Sequence, residues 1–91
     1  MKYKIIPSKR FEKDMKRCQK RGYNMQLIKE AIMLLAETGS LPAEYKPHLL
    51  HGDRRGQWEC HIQPDWLLIW EKRDLELLLV MLNSGTHSDL F

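Results

Sequence analysis

Polar and apolar positions along the chain change period several times. Lys2 to Ile6 alternates weakly and stops at Pro7, which predicts a short first strand. Ser8 can cap a helix whose apolar positions Phe11, Met15 and Cys18 recur at i, i+4 and i+7. Lysines and arginines fill its other faces, and Gly22 stands at a suitable C′ position. Asn24 caps a second helix with Leu27, Ile28, Ala31, Ile32, Leu34 and Leu35 inward, ended by Thr38-Gly39-Ser40. So short a link between the helices predicts an antiparallel hairpin.

After Pro42 the character changes. Residues 43–56 read as an irregular polar loop rich in His, Lys, Arg and Gly, long enough to bind something. Trp58 to Ile62 alternates as a strand, with Trp58, Cys60 and Ile62 on one face and Glu59 and His61 on the other. Gln63-Pro64-Asp65 is a turn. Trp66 to Trp70 is apolar throughout and reads as a central strand, Glu71 to Asp74 as the next turn, and Leu75 to Leu82 as a third strand. Asn83 to Phe91 is a tail whose last two residues, Leu90 and Phe91, predict that it docks back on the domain. The order β-α-α-β-β-β plus a tail is an α+β domain: an antiparallel sheet with an N-terminal strand and a helical hairpin on one face.

Composition narrows this to one domain spanning residues 1–91. A chain of 91 residues, 43% hydrophobic and 30% charged, can bury one modest core and is too apolar for wholesale disorder. The longest apolar run, Leu77 to Leu82, falls far short of the roughly 18–20 residues of a membrane span, and the first residues do not read as a signal peptide. Cys18 and Cys60 lie far apart with no CxxC, against a zinc ribbon or a disulfide framework and in favour of a reducing cytoplasm. Charge is uneven: of the net +3, residues 1–21 carry +7 and the remainder −4. Such polarity suits an amino-terminal face that meets a polyanion or an acidic protein, or a merely solvated helix face.

Candidate chemistry gathers in three places. His48, His51, His61 and His87 could serve acid–base catalysis, ligate a metal, or lie scattered on the surface; no cysteine joins His48-x-x-His51 at ligand spacing, so no metal site is expected. Asp65 either orients the His61 imidazole across the turn or only makes an Asx-turn, and Trp66 is a platform for a base or a core residue. The terminal Gly85-Thr86-His87-Ser88-Asp89-Leu90-Phe91 would bring His87 to a fixed place, with Phe91 as anchor or stacking surface.

The element order, the loop Tyr45-Lys46-Pro47-His48-Leu49-Leu50-His51-Gly52, the H-x-x-P-D-W stretch from His61 to Trp66 and the G-T-H-S-D-L-F ending closely resemble YafQ-type toxins of the RelE/ParE superfamily over essentially the whole chain. The resemblance implies a cytoplasmic, ribosome-dependent mRNA interferase that cuts messenger RNA in the ribosomal A site without a cofactor. It also implies a DinJ-like antitoxin partner, with operator DNA met only through the antitoxin complex and no membrane. His48, His61, Asp65 and His87 fall where the family places catalytic groups, with His87 expected as acid and His48 or His61, with Asp65, on the base side. Trp66 and Phe91 fall on positions that help hold RNA. One position departs: Asn83 stands where the family usually has arginine, so Lys46, Arg54 or Arg55 would have to supply the missing cation. That departure also keeps open a RelE-fold binding module that cleaves weakly or not at all. A gyrase-directed toxin of the ParE branch is disfavoured, because that branch lacks this histidine set.

Overall fold

The computed structural model of the protein describes residues 2–91. Strand β1 (Lys4–Pro7) leads into helices α1 (Lys9–Lys20) and α2 (Met25–Thr38). Two one-turn 3-10 helices, Ala43–Tyr45 and Gly52–Arg54, flank a two-residue strand β2 (His48–Leu49). Strands β3 (Trp58–Gln63), β4 (Trp66–Arg73) and β5 (Leu78–Gly85) follow, and a single-turn helix α3 (His87–Leu90) ends the chain. All five strands join one sheet in the order β1-β5-β4-β3-β2, giving the α+β architecture expected from the pattern. Both helix caps form as the residue types dictate: Ser8 Oγ accepts the Phe11 N–H at 3.0 Å and Asn24 Oδ1 accepts that of Gln26 at 3.2 Å.

Phe11 and Cys18 of α1, Ile28, Ala31 and Leu35 of α2, and Cys60, Trp66, Leu68, Trp70, Leu79 and Met81 of the sheet build one core. The helices therefore cover one sheet face; on the other, open face His48, His61 and Asn83 keep access to solvent while Leu67 and Ile69 at its centre are buried. Leu34, expected inward, is exposed beside Met33 because it lies at the edge of the apolar stripe.

Four features differ from the sequence pattern. The sheet is mixed rather than wholly antiparallel, since β1 runs parallel to β5. The β4–β5 turn falls after Arg73, not after Trp70: Glu71, Lys72 and Arg73 pair with Val80, Leu79 and Leu78, and Leu75 is fully exposed. An apolar run marks burial on both faces, not the end of hydrogen bonding, so the strand outlasts it. Within the expected irregular loop, His48 and Leu49 pair with Glu59 and Trp58 as an edge strand. Residues 83–85 belong to β5, and the tail closes as a helical turn with a reciprocal Thr86–Asp89 capping box.

Polar residues can occupy β5 because helix α1 satisfies its open edge. Pairing with β1 ends at Met81. Beyond it, Ser8 Oγ donates to the Leu82 carbonyl at 3.0 Å, Asp14 Oδ2 accepts the Ser84 N–H at 3.0 Å, and Arg17 Nη2 donates to the Ser84 carbonyl at 2.9 Å. A bulge sets which way these residues face. Trp70 pairs with Met81 but Ile69 with Asn83, so Leu82 is unpaired and Asn83 turns to the face opposite Met81.

Candidate active site

The open face is laid out by strand register. His48, Glu59, Ile69 and Asn83 form one row across β2, β3, β4 and β5, and His61, Leu67 and Gly85 form the next. His48 uses both ring nitrogens: Nδ1 lies 3.0 Å from the Lys46 carbonyl and Nε2 3.1 Å from Glu59 Oε1. A carbonyl only accepts, so Nδ1 carries a proton, and Nε2 is the nitrogen turned to the carboxylate. Glu59 is only 7% exposed, and a carboxylate so buried needs that partner. His61 differs. Its Nδ1–H donates to the Pro64 carbonyl at 3.1 Å, which fixes the neutral ring as the tautomer with a free lone pair on Nε2. The two rings lie 6.4 Å apart between centroids.

His87 meets the turn that follows His61 from the side of the tail. Its backbone N–H donates to Asp65 Oδ1 at 2.9 Å, so Asp65 anchors the start of α3 and the Pro64 carbonyl orients His61. The dipeptide thus fixes one histidine by its side chain and the other by its main chain. At the far side of α3, Asp89 accepts two hydrogen bonds from Arg21, at 2.6 and 3.0 Å. Those bonds, with the Thr86 N–H and hydroxyl and nearby Arg17, hold the Asp89 carboxyl well below the usual carboxylate range. Gly85 packs against Arg17 and Asp89, where a Cβ would meet both.

Asp14 is the residue sequence reasoning missed. It is 1% exposed, and its Oδ1 faces Arg17 Nη2 at 3.2 Å and Arg10 Nε at 3.3 Å while Oδ2 takes the Ser84 N–H. The signal was present: a carboxylate at i+3 from Phe11 and four before Cys18 sits inside the apolar stripe of α1.

The expected RNA-holding aromatics separate by exposure. Phe91 is 57% exposed, with the His87 ring 5.0 Å and the Arg54 guanidinium carbon 5.5 Å from its centre. Trp66 is 2% exposed, packed against Tyr23 with its indole N–H on Ser84 Oγ at 3.0 Å, and offers no face to a base. Of the loop cations, Lys46 and Arg55 are exposed, whereas Arg54 is half-buried and donates to Asn83. Burial pushes the Cys60 thiol up to about 12, which removes it as a nucleophile. Among the described residues no three His, Cys, Asp or Glu side chains converge to hold a metal ion, and no helix is long and apolar enough to cross a membrane.

A five-stranded sheet backed by two helices, with histidines on its open face and a docked C-terminal turn, is the architecture of a RelE-like toxin domain. Residues 3–91 match the family described as bacterial toxin of type II toxin–antitoxin system, YafQ, and the chain belongs to that family. It is 41% identical over 85 residues to the mRNA interferase toxin YafQ of Escherichia coli K12, covering 92% of this chain and 90% of the relative. The toxin in a crystal structure of the E. coli DinJ–YafQ toxin–antitoxin complex superposes with a TM-score of 0.89 at 39% identity, covering 100% of this chain and 99% of that one. A metal-bound toxin from Helicobacter pylori gives a TM-score of 0.89 at 36% identity, covering 98% and 99%.

Proposed function

We propose that the chain is an endoribonuclease that cleaves messenger RNA in the ribosomal A site by metal-independent acid–base chemistry, and that a DinJ-like antitoxin neutralises it. The observation that carries this reading is the Pro64–Asp65 dipeptide, which ties His61 and the main chain of His87 to one turn. Attack by a ribose 2′-hydroxyl needs a base and an acid placed on either side of one phosphorus. His61 Nε2 takes the 2′-hydroxyl proton as that oxygen bonds to phosphorus. The P–O5′ bond breaks as His87 gives a proton to the departing 5′-oxygen, leaving a 2′,3′-cyclic phosphate and a 5′-hydroxyl. His48, held between the Lys46 carbonyl and Glu59, stands beside His61 and helps shape the polar wall that the phosphate meets. Phe91 offers its exposed ring to a base, while Trp66 acts from behind by holding Ser84.

Lys9, Lys13, Lys16 and Lys20 line an exposed stripe of α1 with no carboxylate partner among the described residues. They suit a salt-sensitive contact along ribosomal RNA backbone, and Lys46 and Arg55 suit a similar contact with the message. The DinJ–YafQ complex supports an antitoxin of that kind, through which alone operator DNA would be met. A ribosomal substrate places the work in the cytoplasm.

The test is single-turnover cleavage on programmed ribosomes. His61→Ala and His87→Ala should each lower the rate by about 10²- to 10⁴-fold, and EDTA should leave cleavage unchanged when polyamine keeps the ribosomes intact. A soluble, folded protein that leaves the message whole and the cell growing would transfer the conclusion to a binding module, the reading that neutral Asn83 favours. Cleavage lost to EDTA and restored only by a transition metal would replace the metal-free step.

A further inference from the structure

The charged partners of the arginines divide them sharply. Arg10 and Arg17 face Asp14, Arg17 and Arg21 face Asp89, and Arg73 faces Glu71. Arg54 makes no ion pair among the described residues, although Asp53 precedes it and shares its groove. It is nevertheless well placed: Nη1 donates to Gln57 Oε1 at 2.9 Å and to Asn83 Oδ1 at 3.1 Å, and the guanidinium carbon lies 5.5 Å from the centre of the Phe91 ring. Both acceptors are neutral amides. They fix the side chain without cancelling its charge.

A guanidinium has five N–H donors, and the two on Nη1 are the ones used here. The Nε–H and the Nη2 donors remain, and together they form the side-on fork that matches two oxygens of one phosphate. The 3-10 turn bearing Arg54 shares a groove with Leu90 and Phe91 of the tail, which brings the guanidinium within hydrogen-bonding reach of Asn83 on β5. The side chain ends in the row of His48, Glu59, Ile69 and Asn83, beside the tail that carries His87 and Phe91.

We propose that Arg54 is the phosphodiester-binding cation of this site, placed by Gln57, Asn83 and Phe91, and that the neutrality of Asn83 is what keeps its charge available. This rests on the nuclease reading above, so the experiment has one arm that needs no cleavage. Arg54→Met should lower single-turnover cleavage by about 10²- to 10³-fold with the thermal midpoint unchanged, and Arg54→Lys should recover only part, having charge without the fork. Asn83→Asp is the discriminating variant. It keeps the shape and the hydrogen bond but neutralises Arg54, and should cost about tenfold or more in rate without loss of stability. Lys29→Met, a matched loss of charge on α2, should change nothing.

The arm independent of chemistry is NMR titration with a 2′-deoxy trinucleotide, which cannot be cleaved by this route. Saturable shifts of the Arg54 Nε–H and the Phe91 ring in wild type, with the Phe91 shifts lost in Arg54→Met and both sets weakened in Asn83→Asp, support the site even if wild-type protein cuts no message. Binding by Arg54→Met equal to wild type, or cleavage by it within about threefold of wild type, would overturn the assignment, as would an Asn83→Asp protein that binds and cleaves normally.

Discussion

Strand β5 has arginines at both of its exposed aspects, and they are treated in opposite ways. Along its open edge, Arg17 and Arg21 are matched to Asp14 and Asp89, and the carboxylates fix Ser84 and Thr86. On its open face, Arg54 is held at Asn83 by amides alone. The first set stands in for a missing strand and spends its charge on the fold. The second is oriented yet unneutralised, as a group meant for an external anion is. A buried or paired charge supports structure; a charge steered by neutral dipoles waits for a ligand.

The largest expected effect breaks that comparison directly. Arg17→Met leaves buried Asp14 with only the exposed Arg10 and removes the donor to the Ser84 carbonyl. It should cost about 3 kcal/mol of unfolding free energy, the lower end for a broken buried pair because Arg17 is itself partly exposed. Arg54→Met should stay within about 0.5 kcal/mol of wild type. Urea midpoints at unchanged slope measure both, and equal costs would erase the distinction between the two sets.

That distinction also marks how far the sequence could be read. Strand and helix existence and the inward face of β3 follow from periodicity and caps, which are local, whereas the tail docks through Asp89 on Arg21 and the His87 N–H on Asp65, with Phe91 of the terminal apolar pair left exposed. The β4–β5 turn was displaced because Glu71 and Lys72 look like turn residues but sit on a half-exposed strand end. His48, His61, Asp65 and His87 were recognisable as chemistry-bearing types. That Asp65 holds His87, and that Glu59 holds His48, depends on contacts between segments far apart in the chain, on which sequence spacing is silent. The choice of Arg54 over Lys46 and Arg55 likewise turns on a bulge at Leu82 that re-aims Asn83.

A smaller effect should appear with acid. The Asp89 carboxyl titrates below its unfolded value, first because of Arg21 and then because of Thr86 and Arg17. A lowered folded value means that the stabilisation is fully present above the unfolded value of about 3.9 and is lost as pH falls from there toward the folded value. Wild-type stability should therefore contain an acid-sensitive part below about pH 4 that Asp89→Asn removes. At neutral pH that substitution should cost about 1 kcal/mol, since the pair is partly exposed and screened. Unfolding curves at several pH values read both quantities. An acid response identical in wild type and Asp89→Asn would show that the Arg21 contact does not hold the tail.

The smallest effect concerns the aromatic side of Arg54. Phe91→Leu keeps an apolar group at the chain end but removes the ring face beside the guanidinium. A cation over an aromatic ring at an exposed site contributes roughly 0.5–1 kcal/mol, so stability should change by no more than that. In cleavage the same energy corresponds to roughly two- to fivefold, provided the ring acts by holding Arg54. Two roles then separate by coupling. If Phe91 works through Arg54, adding Phe91→Leu to Arg54→Met should cost almost nothing further. If Phe91 mainly stacks on a base, its loss should cost the same in either background. The double-mutant cycle in single-turnover rate decides between them, and it leaves the edge arginines Arg17 and Arg21 untouched as an internal standard for fold.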